Sequence, residues 1–283
     1  MTVILSYIFY FVAASASPLQ RRYLVTKRNA DSSEQIHFAF QVAFLMAFLG
    51  LLIPFFQPFH LAGNSFHLIL FALVCGAFGA TYFISNYIAQ KHVEAGITNV
   101  VVNIYTPVTI VLATFFLNER LSPLQIVGTV LLLAGMVLVS KKHRIGKFKF
   151  DKYFMLMVLS GVALGVSLVA ERALQKTTGF TAGTLISWWS QCGALGIATL
   201  VTRAKSQYSK KDIAVTGVLR FLQSLSWVVL IFVVGNLSIV SAITTFKIVI
   251  IFIAAALFLK EREDLPRKTL GSIVALAGLL LMK

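Results

Sequence analysis

Apolar and polar positions alternate along this chain in long blocks rather than residue by residue. Ten apolar runs occur, at 3–20, 37–57, 66–90, 97–117, 122–140, 153–174, 181–202, 212–235, 239–259 and 266–282. Each is near the ~20 residues that a helix needs to cross a hydrocarbon core of about 30 Å. The polar interruptions are short, so no large soluble domain fits between the runs. The pattern predicts an all-α integral membrane protein with ten transmembrane helices. The first run starts at once, "MTVILSYIFYFVAASASPLQ", with no basic residue ahead of it. It reads as a first membrane helix rather than a cleaved leader.

Composition agrees with that pattern. The chain is 58% hydrophobic and 12% charged, against about 25% charged in soluble domains, and its mean hydropathy is +0.85. The net charge of +15 does not point to nucleic acid, because the bases cluster in short loops. Arg21, Arg22, Lys27 and Arg28 follow the first run, Lys91 the third, "KKHRIGKFKFDK" the fifth, and Arg203, Lys205, Lys210 and Lys211 the seventh. Lys260, Arg262, Arg267 and Lys268 follow the ninth, whereas the loops after the second and eighth runs carry no base. The positive-inside rule places the basic loops in the cytoplasm and both termini outside. Cys75 and Cys192 fall inside apolar runs and read as packing residues.

The basic run divides the chain into a first five-helix repeat, 1–142, a linker, 143–152, and a second five-helix repeat, 153–283. The first half ends "LATFFLNERLSPLQIVGTVLLLAGMVLVSK" and the second "IAAALFLKEREDLPRKTLGSIVALAGLLLMK". Each has a glutamate–arginine pair (Glu119 and Arg120, Glu261 and Arg262), then a proline (Pro123, Pro266), then two spaced glycines (Gly128 and Gly135, Gly271 and Gly278). A weaker match joins "ASASPLQRRYL" to "GVSLVAERALQ". Five spans per repeat force the two halves into opposite orientations, a 5+5 inverted repeat of the kind found in many secondary transporters.

The segment "PVTIVLATFFLNERLSPLQIVGTVLLLAGMVL" resembles the end of an EamA-type repeat of the drug/metabolite transporter superfamily. Pro107, Glu119, Arg120, Gly128 and Gly135 carry the likeness, and Glu261, Arg262, Gly271 and Gly278 repeat it. Asn118 stands where the usual turn glycine would be, and the second copy lacks a proline matching Pro107. The resemblance implies ten helices around a central substrate cavity, alternating access and no use of ATP. It also implies cytoplasmic termini, opposite to the charge count.

Lys247, in "SAITTFKIVIIFIAAALFL", and Arg220, in "VTGVLRFLQSLSWVVLIFVVGN", lie deep in predicted spans. From the basic-loop side they sit about 20 Å and about 12 Å into their helices. A charge at such depth costs at least about 2.5–3.5 kcal/mol and needs a partner, water or a role. Asp31, Glu34, Glu94, Glu119, Asp151, Asp212, Glu261, Glu263 and Asp264 read as loops or helix ends, and only Glu171 approaches the same level, with Arg172 beside it. The interior thus holds an excess of positive charge that an anionic substrate group would balance. The plainer alternatives are an ion pair of Lys247 with Glu171 and a snorkelling Arg220.

Other candidates are polar or aromatic. Asn99, Asn103 and Thr106 share one helical face by spacing, with Tyr105 turned away from them, and either line a polar cavity or join helices. Tyr82 and Asn86 share a stripe, Gln223 and Trp227 another, and Trp188, Trp189 and Gln191 lie inside the seventh run. Gly161 and Gly165 fit close helix packing. Glu119 and Glu261 precede helices whose N-termini they would cap. The histidines show no metal-ligand spacing, and no phosphate-binding loop or hydrolase motif occurs.

The sequence thus predicts a secondary active transporter (permease) of a small polar metabolite, anionic or zwitterionic, in the cell (plasma or inner) membrane, with Lys247, Arg220, Asn99, Asn103, Tyr82, Asn86, Tyr105, Trp188 and Glu171 as candidate substrate-binding residues. Its expected partners are that solute and the lipid bilayer. A coupling proton or ion and a second copy of the chain are open candidates, and no nucleic acid, metal or cofactor is expected. An exporter of cationic or aromatic solutes is the alternative. A membrane enzyme would need a nucleophile, acid and base at one depth, which the sequence does not assemble.

Overall fold

The computed structural model of the chain describes residues 2–28, 31–92, 95–140, 152–203, 205, 207–258 and 265–281. Glu94, most of the basic linker with Asp151, and the second glutamate–arginine turn at Glu261 and Arg262, with Glu263 and Asp264, lie outside the described residues. Among the described residues there is no strand. The helices are α1 (Thr2–Arg28), α2 (Ser32–Gly50), α3 (Ser65–His92), α4 (Ala95–Val102), α5 (Tyr105–Leu117), α6 (Pro123–Ser140), α7 (Lys152–Thr178), α8 (Phe180–Thr202), α9 (Lys210–Val234), α10 (Leu237–Thr244), α11 (Lys247–Phe258) and α12 (Leu265–Leu280). A 3₁₀ turn at Ile53–Phe55 follows α2. Six of them, α1, α2 with its 3₁₀ turn, α3, α7, α8 and α9, are long and apolar enough to cross a membrane. Shorter apolar helices accompany them. The chain is a multi-pass, all-helical membrane protein, and side chains such as Phe55, Phe115, Phe116 and Leu200 stand exposed on its outside, where lipid would cover them.

Local chemistry sets the helix ends. Asp31 caps α2 by accepting the Glu34 N–H while Glu34 answers the Asp31 N–H, which holds the Asp31 carboxyl below its ordinary pKa. Ser209 and Asp212 make the same reciprocal cap on α9. Asn118 closes α5 in the left-handed region at φ 56°, a conformation that asparagine tolerates better than most residues. Gly235 closes α9 at φ 72°.

The fourth and ninth apolar runs depart from expectation, because neither is one helix. The fourth breaks between α4 and α5 and the ninth between α10 and α11. At the first break the backbone tightens to 3₁₀ bonds, Ile104 N–H to Val101 C=O (3.2 Å) and Thr106 N–H to Asn103 C=O (2.9 Å). Pro107 just beyond cannot donate, so the regular ladder cannot resume through it. The second break has no proline. There the Thr244 and Thr245 hydroxyls donate back to Val240 C=O (2.6 Å) and Ser241 C=O (3.2 Å), an arrangement that bends helices, and the backbone bonds donated by Thr245, Phe246, Ile248 and Val249 are of the 3₁₀ kind.

Packing follows a paired scheme. α3 lies against α7 and α1 against α9; α3 also lies against α8 and α2 against α9; α2 pairs with α8, α5 with α10 and α6 with α12. Side-chain contacts fix directions. Arg22 of α1 donates to Gln90 C=O (2.6 Å) and Lys91 C=O (3.1 Å) at the C-terminus of α3. His92 at that same end stacks on Tyr153 near the start of α7, with ring centroids 3.7 Å apart. Arg172, late in α7, donates to Gly235 C=O (2.6 Å) at the end of α9. So α1 and α3 run one way, and α7 and α9 the other.

The spaced glycines read in the two closing helices meet each other. A Cβ on Gly135 would lie 2.5 Å from Ala275 N and 2.6 Å from Gly271 O, and one on Gly278 2.6 Å from Gly128 O. These obstacles are backbone, which cannot yield as a flexible side chain can. We expect Gly135→Ala to destabilise the protein by about 1–3 kcal/mol through overpacking, read as a lower melting temperature in detergent. Gly193→Ala, where a Cβ meets nothing within 4 Å, should be neutral or stabilising.

Candidate functional site

The helices surround an open cavity with about 910 Å³ of empty space in and around it, open solvent included. Of the nine residues singled out from the sequence, Asn103 alone does not line it. Asn103 is fully buried and donates to the Thr245 hydroxyl at 3.0 Å, which also shares a hydrogen bond with Thr106 at 3.0 Å. It therefore joins the two helix breaks to each other and is not a cavity residue. Asn99 and Asn103 are separated in role by the break, which sequence spacing did not register.

Lys247 is the first residue of α11 and is 9% exposed. Its Nζ donates to the hydroxyls of Tyr10 and Tyr105, both at 3.2 Å. Tyr105 is the first residue of α5, so the two second half-helices begin side by side at the cavity. The ion pair between Lys247 and Glu171 weighed from the sequence does not form; Glu119 instead carries ion pairs, with Arg172 and Lys176.

Arg220 does not snorkel outward. Its guanidinium lies over the Phe83 ring at 4.8 Å and the Tyr82 ring at 5.6 Å and bonds Gln223 Oε1 at 3.3 Å, while its Nε has no partner. Glu171 is buried: Oε2 accepts from the Ser187 hydroxyl at 3.1 Å, Ser187 accepts from Gln191 Nε2 at 3.1 Å, and Glu171 Oε1 has no partner. Trp188 is buried at the cavity wall, whereas Trp189 points out beside Phe44. Gly161 and Gly165 seat α7 against the first break, next to Val102 C=O and Tyr105 C=O.

Tyr10 and Arg21 are among the cavity residues that escaped sequence reading. The first run was ended at residue 20, so Arg21 counted as a loop base, but α1 continues to Arg28. Arg21 is 5% exposed, lines the cavity and donates to Asn86 Oδ1 at 3.1 Å. The signal was present in "ASPLQRRYL" and "VSLVAERAL", which align Ser17 with Ser167, Arg22 with Arg172 and Leu24 with Leu174. That alignment places Arg21 opposite Glu171. Each lies seven residues before its helix end, and because α1 and α7 run oppositely the base sits towards one end of the cavity and the carboxylate towards the other.

Glu119 caps a different helix from the one expected. Ser122 and Gln125 cap α6 reciprocally. Glu119 instead reaches across to α10, where its Oε2 accepts the Leu237 N–H, and its Oε1 pairs with Arg172 at 2.9 Å and Lys176 at 2.7 Å. Burial alone would raise its pKa, but these donors outweigh it and hold the carboxyl below the ordinary range.

A multi-pass helical bundle around a polar, cation-lined cavity is the build of a membrane transport protein. The model of the EamA-like transporter family matches residues 1–141, essentially the first half of the chain, and the chain belongs to that family. It is thereby a membrane transporter of the drug/metabolite transporter superfamily, whose EamA members are transporters rather than enzymes. A solved crystal structure, described only as that of a protein, is similar with a TM-score of 0.66 over 98% of this chain and 97% of that one, at 14% identity. That likeness concerns the fold alone. No curated protein matches the sequence.

Removing the Glu119 charge tests the end cluster. Because its folded pKa is depressed, its contribution is full above the unfolded value of about 4.3 and is lost as pH falls through the folded pKa. We expect Glu119→Gln to cost about 1.5–3 kcal/mol at neutral pH, the range for charge-assisted hydrogen bonds. Its melting temperature should converge on that of the parent protein in acid.

Proposed function

We propose that the protein is a secondary active transporter of a small anionic or zwitterionic metabolite, working by alternating access in the cell membrane. In this reading α4 with α5 is one span and α10 with α11 another, giving ten spans in two inverted sets of five. Several observations support it. The helix pairings come in matched couples, α3·α7 with α1·α9 and α3·α8 with α2·α9. Arg22 and Arg172 make the same kind of bond to the ends of α3 and α9. The two breaks fall at matched positions and touch.

One observation carries the functional reading: Arg21, Arg220 and Lys247 line one membrane-embedded cavity, none paired with a carboxylate among the described residues. The N-termini of α5 and α11 add positive dipole ends beside Lys247, the arrangement by which broken helices favour anionic groups in transporters. The Glu119 cluster ties the α5–α6 turn, α7 and α10 together at one end and would latch that end shut. Glu171, the one carboxylate on the described cavity wall, is where a coupling proton or cation would sit. Its unpartnered oxygen beside Trp188 also favours the second reading, export of cationic or aromatic solutes.

A thermal-shift panel of carboxylates, sugar phosphates, amino acids and quaternary amines decides between them, since ligands that bind only the folded state raise its melting temperature. We expect carboxylate- or phosphate-bearing ligands to stabilise the protein. Lys247→Gln should require about 10- to 100-fold more of them, the loss of one charge-assisted hydrogen bond. Stabilisation by amines alone, lost in Glu171→Gln, would replace this reading with the second.

A further inference from the structure

The cations of the cavity are not spread evenly along its wall. Arg21 lies over the Tyr87 ring at 4.6 Å, and Arg220 over Phe83 at 4.8 Å and Tyr82 at 5.6 Å. These rings occupy adjacent turns of α3, so the two guanidinium groups share one helix face. The Tyr82 phenol lies within electrostatic reach of Arg220, Arg21 and Lys247 together. Like charges gathered in a poorly hydrated interior repel with little screening. Among the described residues neither guanidinium is bonded to a carboxylate: Arg21 bonds the neutral Asn86 and Arg220 the neutral Gln223.

The donor inventory has vacancies that match. The Nε of Arg21 and the Nε of Arg220 are both buried with no partner. A guanidinium edge presents its donors as a fork that fits a carboxylate or phosphoryl group. Lys247 differs, being a point charge steadied between two tyrosine hydroxyls. Along the described cavity wall, three bases face one carboxylate, Glu171. A zwitterion would leave that excess untouched, and a singly charged anion would remove half of it. With Glu171 ionised, a doubly charged anion brings the closed cavity to neutrality; with a coupling proton on Glu171 it removes two of three charges.

We infer that the transported solute carries two negative charges, gripped by Arg21 and Arg220 together with Lys247. This rests on the transport reading above and narrows its substrate class. The two charges belong either to a pair of carboxylates or to one phosphoryl group, and the shared requirement is the second charge.

The test measures apparent affinity by thermal shift at constant ionic strength for two matched pairs. One is succinate against butyrate, and the other is glycerol 1-phosphate against its methyl diester. In at least one pair the doubly charged member should bind about tenfold or more tightly, consistent with one further charge-assisted contact. Succinate over butyrate assigns two carboxylates, and monoester over diester assigns a phosphoryl group. Arg21→Gln and Arg220→Gln should each bring the ratio near one, and Arg220→Lys should restore part of it. The comparison on the unaltered protein needs no variant to fold. Equal affinity within both pairs overturns the inference. If that equality comes with binding that depends on Lys247, anion transport stands while the second charge falls. If only amines bind, both fall.

Discussion

A backbone N–H or C=O left unpaired in hydrocarbon costs several kcal/mol, and that constraint decides where this protein can depart from regular helix. Among the described residues it does so twice within apolar runs, between α4 and α5 and between α10 and α11, and the two breaks touch. Asn103 and Thr106 reach Thr245 across the contact, the Thr106 hydroxyl also donates to Ser241 C=O, and 3₁₀ bonds on each side take up several backbone donors. The two breaks touch through these groups, and Asn103, Thr106, Thr244 and Thr245 are all buried inside the bundle.

The breaks also create the site. Ending one half-helix and starting another sets two fresh N-termini at the cavity, headed by Tyr105 and Lys247. The lysine is held by the tyrosine from the matching position of the other half. The aligned positions of the two halves carry different side chains: Arg21 stands where the other half has Glu171, and Lys247 where it has Tyr105. In the proposed transport cycle, the two halves would rock between two states and the differing side chains would give one solute a preferred fit. At the end, Glu119 joins the halves through Arg172, Lys176 and the Leu237 N–H.

Much of this was legible in the sequence because hydropathy and turn chemistry are local. The apolar runs, the basic interruptions, the glutamate turns and the glycines of α6 and α12 all announce themselves within a few residues. Eight candidate residues from six separate runs meet at one cavity because intramembrane polar groups are costly enough to be few. What stayed hidden depends on distant partners or on very short irregularities. A two-residue 3₁₀ stretch barely alters an apolar run; Pro107 hinted at the first break, but the second rests on Thr244 and Thr245, which look unremarkable in a helix. Arg21 was lost because a base at the edge of an apolar run reads as a loop. Glu119 was given the wrong helix because α10 is far along the chain.

The central claim is that one cavity, cationic and built at the two breaks, opens in turn to both sides of the membrane. Ser224 lines that cavity, so a Ser224→Cys protein lacking Cys75 and Cys192 reports access directly. Its labelling rate would be measured with membrane-impermeant thiol reagents, anionic and cationic, applied separately to each face in oriented vesicles. Labelling from both faces, faster with the anionic reagent, is the expected result. Labelling confined to one face, whatever solute is present, would contradict alternating access through this cavity.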